Sequence, residues 1–130
     1  MAIYVGPNTY RSEGTTMYDN SRMYDNSCMY DNSKLINTAL HANAVIKGNG
    51  IIESLQDYIV IGPAISSGRF ATAHRDSVIG VRVNTGCFSG SLEEFIAAIN
   101  KTHADNPPAH AQYMAFVALI RAQFAHLLSP

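Results

Sequence analysis

Large apolar and polar residues recur in the first half of the chain with a period of six. Met17-Tyr18-Asp19-Asn20-Ser21, Met23-Tyr24-Asp25-Asn26-Ser27 and Met29-Tyr30-Asp31-Asn32-Ser33 are near copies. Weaker copies precede them at Val5–Thr9 and Arg11–Thr15, and Leu35–Ala39 follows. After a one-residue slip come Leu40–Ala44 and Ile46–Gly50, and Ile52 opens an incomplete last copy. The first position is large and apolar at Val5, Met17, Met23, Met29, Leu35, Leu40, Ile46 and Ile52, with Arg11 the exception. The fifth is small throughout, from Thr9 and Ser21 to Ala44 and Gly50. The fourth is mostly Asn, which tolerates the left-handed backbone region, so a turn is expected there in each hexad. Six fits neither the helical period nor plain strand alternation, whereas a short strand, a corner and another short strand fit it.

This pattern resembles the hexapeptide repeat of left-handed parallel β-helices. The resemblance implies a triangular coil of three hexads with the first position pointing inward. Axial neighbours then lie about eighteen residues apart. Met17 is expected under Leu35, and Tyr18 near Ile36. Tyr18, Tyr24 and Tyr30 are placed outward on three different faces of one coil. Cys28 shares its column with Arg22 and Lys34 and is placed outside. The array amounts to fewer than three coils, and such repeats need stacking and caps. The resemblance therefore also implies a side-by-side trimer.

After Ile52 the period is lost, and two units are expected, 1–53 and 54–130. Asp57–Ile61 reads as a buried strand, 62–68 as a loop, Arg69–His74 as a short strand, 75–77 as a turn and Val78–Val83 as a third strand. Residues 84–90 read as a Gly-punctuated loop. Ser91 followed by Glu94 is a capping box. It opens a helix with Leu92, Phe95, Ile96 and Ile99 on one face, ending near His103 before Asn106-Pro107-Pro108. A last helix is expected from about Ala109 to Leu128, with a stripe of Tyr113, Phe116, Val117, Ile120, Phe124 and Leu127, widened by Met114, Ala118 and Leu119. A helix this apolar on a short chain is expected to pack on another subunit as well as on its own sheet. The fold class is thus α+β: a short N-terminal left-handed parallel β-helix, a small antiparallel sheet and two C-terminal α-helices.

The chain has 130 residues, 47% hydrophobic and 15% charged, with net charge −1. Such a chain can bury a core, and it lacks the global field that attracts a nucleic-acid duplex. The sparse, balanced charge opposes self-association little. Residues 1–7 have no basic start or long apolar run, and no stretch is long enough to span a bilayer, so a soluble protein is expected. Cys28 and Cys87 make neither a disulfide framework nor a metal set, which suits a reducing compartment.

Five histidines, His41, His74, His103, His110 and His126, do not pair at metal-ligand spacing with a cysteine or carboxylate. His41 bears most on catalysis, because hexapeptide acyltransferases use an inter-subunit histidine as general base; the long protruding loop of such enzymes is absent here. Ser66, Ser67 and Ser89 sit in Gly-containing loops that are not nucleophile elbows. Glu93 and Glu94 read as helix N-terminal charge. Two loops look like ligand-binding elements. Ser66-Ser67-Gly68-Arg69 offers hydroxyls, backbone N–H groups and a guanidinium, which suits phosphate. Gly86-Cys87-Phe88-Ser89-Gly90 ends at a helix N-terminus that favours anions and carries an aromatic ring. Ser67, Gly68, Arg69 and Phe88 are the candidate ligand contacts, with Arg121 a further one. The competing readings are a surface ion pair for Arg69, a core position for Phe88 and a solvent-facing site for Arg121. No catalytic residue, metal ligand or cofactor is expected.

The segments Asp57–Pro63, Ser67-Gly68-Arg69, Gly86–Phe95 and Thr102-His103 resemble a module of small phage proteins, and the chain is similar to the first type of Thoeris anti-defence protein. That resemblance implies a non-catalytic sponge, acting in the cytoplasm of the infected bacterial host, that sequesters cyclic ADP-ribose isomers and some cyclic oligonucleotides. It also implies a hexamer built from trimers through the β-helix and dimers through the C-terminal module. The stretch Ala64–Gly68 is longer and less regular than the module's pattern. The alternatives are a phage structural or assembly protein, for which the repeat alone would suffice, and a hexapeptide acyltransferase.

Overall fold

A computed structural model describes residues 2–86 and 88–128; Cys87 lies outside the described residues. Among them, nine two-residue strands occupy Tyr4–Val5 (β1), Tyr10–Arg11 (β2), Thr16–Met17 (β3), Arg22–Met23 (β4), Cys28–Met29 (β5), Lys34–Leu35 (β6), Ala39–Leu40 (β7), Val45–Ile46 (β8) and Ile51–Ile52 (β9). They form three parallel sheets, β1-β4-β7, β2-β5-β8 and β3-β6-β9, so the chain visits three sides in rotation, which is compatible with a β-helix. The array therefore stacks three strands on every side, a fuller prism than the sequence suggests. The slip after Leu35 is visible in the register. Met17 pairs with Leu35, eighteen residues on, whereas Met23 pairs with Leu40, seventeen on.

The first hexad position fills the prism. Met23, Met29 and Leu35 make one fully buried layer, and Leu40, Ile46 and Ile52 the next. The small fifth position is forced by the inside of each corner. Ser27 and Ser33 are buried there, and their hydroxyls donate back to the carbonyls of Tyr24 and Tyr30, each at 2.8 Å.

The corners correct one expectation. The left-handed residue is at the fourth position in Gly14 and Asn20, but at the third in Asp25, Asp31, Asn37, Ala42 and Gly48. Asp shares Asn's tolerance of that region, and here its carboxylate is used as well. Asp25 accepts from the Ala42 N–H and Asp31 from the Gly48 N–H, each at 2.8 Å, tying one coil to the next. The tyrosines also do more than point outward. Tyr24 lies between Tyr4 and His41, at 5.4 and 5.2 Å between ring centroids, and Tyr30 packs on Tyr10 beneath the Lys47 ammonium. Cys28 alternates with the inward Met29 and so lies on the outer side of its strand, half-buried in a column with Tyr10 and Val45.

A 3-10 turn, Leu55–Asp57, leads into an antiparallel sheet of four strands: Tyr58–Ile61 (β10), Ala71–Asp76 (β11), Gly80–Thr85 (β12) and Phe88–Ser91 (β13). Three strands are expected from the sequence. The fourth lies in the stretch that its glycines mark as a loop, and it is held by pairing with β12. The β11–β12 turn falls at 77–79, later than expected. Asp76 fixes it there, accepting from the N–H groups of Val78 and Ile79 at 2.8 and 3.0 Å.

The first helix is Leu92–Thr102 (α1), with both bonds of the Ser91/Glu94 capping box made and His103 as its C-cap. The second is Pro107–Gln123 (α2). It starts two residues earlier than expected because proline suits the first turn and Asn106 caps the Ala109 N–H. It does not reach Leu128: the chain breaks at the buried Phe124, and Ala125–Leu128 (α3) turns back toward β12. Ala71, Ala73, Val81 and Val83 on one face of the sheet bury the helical stripe of Phe95, Ile99, Phe116, Val117 and Ile120. Leu119 and Ala118 are exposed and do not widen that stripe.

The other face of the sheet covers the prism. Thr72, His74 and Asp76, at alternate positions of β11, accept from the N–H groups of Val45, Lys47 and Asn49 at 3.0, 3.2 and 3.1 Å. The Asn84 amide donates to the Val45 carbonyl at 2.7 Å, and the Tyr58 hydroxyl donates to the Ala39 carbonyl and accepts from the His41 N–H. His74 is completely buried. Its Nδ1–H donates to the Arg75 carbonyl at 2.9 Å, which leaves Nε2 as the acceptor. Asp76 also accepts from the Arg82 guanidinium at 2.9 Å. Burial alone would raise the Asp76 carboxyl, but the Arg82 bond and the Ile79 and Val78 N–H groups hold it below its usual range.

Two outcomes follow. Burial pushes the His74 imidazole down to about 4. A base that resists protonation when folded favours the native state above its unfolded pKa. That stability is lost as pH falls from about 6.5 toward 4, by about 3 kcal/mol in all. Urea midpoints from pH 7.5 to 4 should show this fall, and His74→Gln should flatten it. Ala42 holds φ of 56° without a side chain to profit from it. Ala42→Gly should stabilise by about 0.5–1 kcal/mol, the relief of left-handed strain outweighing the added chain entropy, and raise the melting temperature by a few degrees.

Candidate functional site

The loop 62–70 leaves the sheet after β10 and returns at β11. Gly62 permits the crossing, with φ of 143°, and a Cβ there would meet the Arg69 carbonyl and Phe70 at 3.0–3.1 Å. The Ala64 N–H donates to the Arg69 carbonyl at 2.8 Å and the Gly68 N–H to the Ala64 carbonyl at 2.7 Å. The Ile65 N–H donates to the Gln112 side chain of α2 at 2.7 Å. Between this loop, the β12–β13 connection, the end of α1 and the face of α2 lies a cavity of about 340 Å³.

Its wall is aromatic. Phe88 packs on Phe95 at 5.6 Å, Phe95 meets Tyr113 edge-on at 6.2 Å, and His103 stacks on Tyr113 at 5.0 Å with 14° between the ring planes. Its polar groups are Ser66, Ser67, Arg69, Thr85 and Thr102. Ser67 Oγ lies 3.3 Å from the Tyr113 hydroxyl and accepts from the Arg69 N–H at 3.2 Å. Arg69 is exposed, and none of the ion pairs among the described residues includes it. Its guanidinium lies against Gly86, whose φ is 56° and where a Cβ would collide with it. A flat apolar slot rimmed by hydroxyls and one guanidinium accommodates a planar ring carrying an anionic group.

The structure brings Ser67, Arg69 and Phe88 to this one cavity, although eighteen residues or more separate Phe88 from the other two. Gly68 holds the turn between Ser67 and Arg69 with φ of 71°. Two of the four loop N–H groups, those of Gly68 and Arg69, are already bonded. The helix N-terminus after Gly90 is not open to an anion. The carboxylate of Glu94 occupies it, accepting from the Ser91 N–H at 2.9 Å. Arg121 is elsewhere, in a separate cleft of about 410 Å³ with Glu93, Leu92, Ile79 and Leu128. Tyr113 and Phe95 also line the cavity. Sequence reading assigns both to the core, and nothing in their helical spacing separates a core position from one that also faces a cavity. His41 is exposed, stacked on Tyr24 with its N–H held by Tyr58. Among the described residues no group of three or more His, Cys, Asp or Glu side chains is placed to hold a metal ion. None of their helices is long and apolar enough to cross a membrane.

Phe88 is half-buried, both a cavity wall and a margin of the helical core. Phe88→Ala should therefore cost about 2 kcal/mol by thermal denaturation, below the ~3–5 kcal/mol of a fully buried phenylalanine. A loss in that upper range would make Phe88 a core residue alone.

Compared with protein-family models, curated proteins and solved structures, the chain matches none.

Proposed function

We propose that this chain is a non-catalytic binding protein of the Thoeris anti-defence kind, which withholds cyclic ADP-ribose isomers from a bacterial immune system. The observation that carries this reading is the convergence of Ser67, Arg69 and Phe88 on one aromatic-walled cavity. Phe88, Tyr113 and His103 offer ring faces or edges to a base, and Arg69 with the Ser66 and Ser67 hydroxyls offers charge-assisted contacts to phosphate. About 340 Å³ is at the small end of ligand pockets and suits a base with part of its ribose phosphate. Sequestering a scarce signal requires a dissociation constant of order nanomolar, about −12 kcal/mol. A two-phosphate ligand needs enclosure on several sides to reach that, which a second subunit supplies.

The exposed face of α2 supports such an assembly. It carries Ala111, Ala115, Ala118, Leu119 and Ala122 where a solvated helix would carry charge. The reading includes a left-handed prism of hexapeptide repeats that trimerises side by side, and α2 pairing between trimers to make a hexamer.

Calorimetric titration with cyclic ADP-ribose isomers and cyclic oligonucleotides tests the reading, and the absence of binding by every one would end it. Arg69→Ala should weaken binding about tenfold or more at unchanged melting temperature, the loss of one charge-assisted contact of roughly 1.5–3 kcal/mol. Arg121→Ala should leave that affinity unchanged, because Arg121 lines the other cleft.

A further inference from the structure

The two ends of the prism are finished differently. At one end the sheet covers the layer of Leu40, Ile46 and Ile52. At the other, β1, β2 and β3 are the outer strands of the three sheets, and no described residue pairs with their outward N–H and C=O groups. Tyr4 and Val5 are nearly half exposed there, although Val5 occupies the interior column over the fully buried Met23. Open strand edges beside apolar side chains are templates for pairing with another chain.

The interior triplet of this end layer is Val5, Arg11 and Met17, and Arg11 is the single break in the apolar column of the sequence. Its register partner, Met29, is fully buried. The Arg11 guanidinium is exposed, bonded to the Thr15 hydroxyl and carbonyl at 3.2 and 3.1 Å, and none of the ion pairs among the described residues includes it.

We propose that Arg11 guards the open end of the prism against stacking by a second copy of this chain. A copy docking end to end would desolvate an arginine that no ion pair of its own chain neutralises among the described residues, and twofold symmetry would bring two such guanidiniums together. Removing the charge leaves an apolar triplet and unpaired strand edges that match their own image. Because the sheet covers the other end, each chain offers one such end: single chains or trimers would close as pairs, whereas the proposed hexamer, open on both outer faces, would extend further.

Light scattering of the wild type, Arg11→Leu and Arg11→Lys at matched micromolar concentrations tests this, with mass read relative to the wild type, whatever its own assembly. The guard requires Arg11→Leu to raise the mass at least twofold and Arg11→Lys to leave it unchanged. Arg11→Leu combined with Val5→Lys, which returns a cation to the same triplet, must restore the wild-type value. If Arg11→Leu is insoluble, Arg11→Ser decides: mass rising with concentration supports the guard, and constant mass overturns it. A lowered melting temperature with unchanged mass would also overturn it, reducing Arg11 to the brace of the Thr15 corner.

Discussion

A stack of short parallel strands ends in a row of backbone groups with nothing to bond, and the burial of that row governs the rest of the molecule. Backbone donors hidden without partners cost about 1–3 kcal/mol each, so a sheet laid over the last coil has to supply acceptors where the N–H groups fall. Here β11 does so with side chains. Alternation along a strand puts residues 72, 74 and 76 on one face, and the N–H groups of 45, 47 and 49 recur with the same spacing of two. A hydroxyl, an imidazole nitrogen and a carboxylate thus stand in for the carbonyls of a fourth coil. Among the described residues no buried side-chain polar atom is left without a partner.

That junction explains an otherwise puzzling face of the sheet. Thr72, His74, Asp76 and Asn84 are polar yet buried, because the surface they meet is a strand edge and not a side-chain surface. Their opposite neighbours Ala71, Ala73, Val81 and Val83 are small and apolar because helices pack closely on them. The sheet is therefore a layer between two unlike surfaces. Its register is fixed from both sides, since a slip of one residue would turn alanines toward the coil and polar groups toward the helices.

The sequence makes the prism legible because one constraint repeats: the interior accepts large apolar side chains once per six residues, and each corner accepts a small one. Even the register change appears as the slip between Leu35 and Leu40. The corners are misread because Asn and Asp share the property that marks a turn, and only pairing between coils reveals which of Asp25 and Asn26 takes it. The second half is less legible. Its polar strand positions are set by partners some thirty residues away in sequence, so Asn84-Thr85 and Ser89 read as loop. Phe124 ends α2 although the local pattern would continue it, because tertiary packing decides where that ring goes.

The same layering shapes the candidate site. Phe95 and Tyr113 belong to the helical core, so the ring faces they offer are held by packing on several sides. The groups suited to an anion sit on the loop 62–70, which the Gln112 side chain and the Tyr113 hydroxyl tie to α2. The β12–β13 strands connect site and prism. Asn84, whose amide N–H donates to the coil, accepts at its side-chain oxygen from the Ser89 hydroxyl at 2.6 Å, and Ser89 adjoins Phe88. The prism thus positions the aromatic wall through the hydrogen bonds that close its own end. The proposed binding role gains from this division, since rigidity in the wall lowers the entropy lost on capture. The buried His74 spends both its ring nitrogens on the backbone, so its part in the molecule is to hold β11 against the last coil.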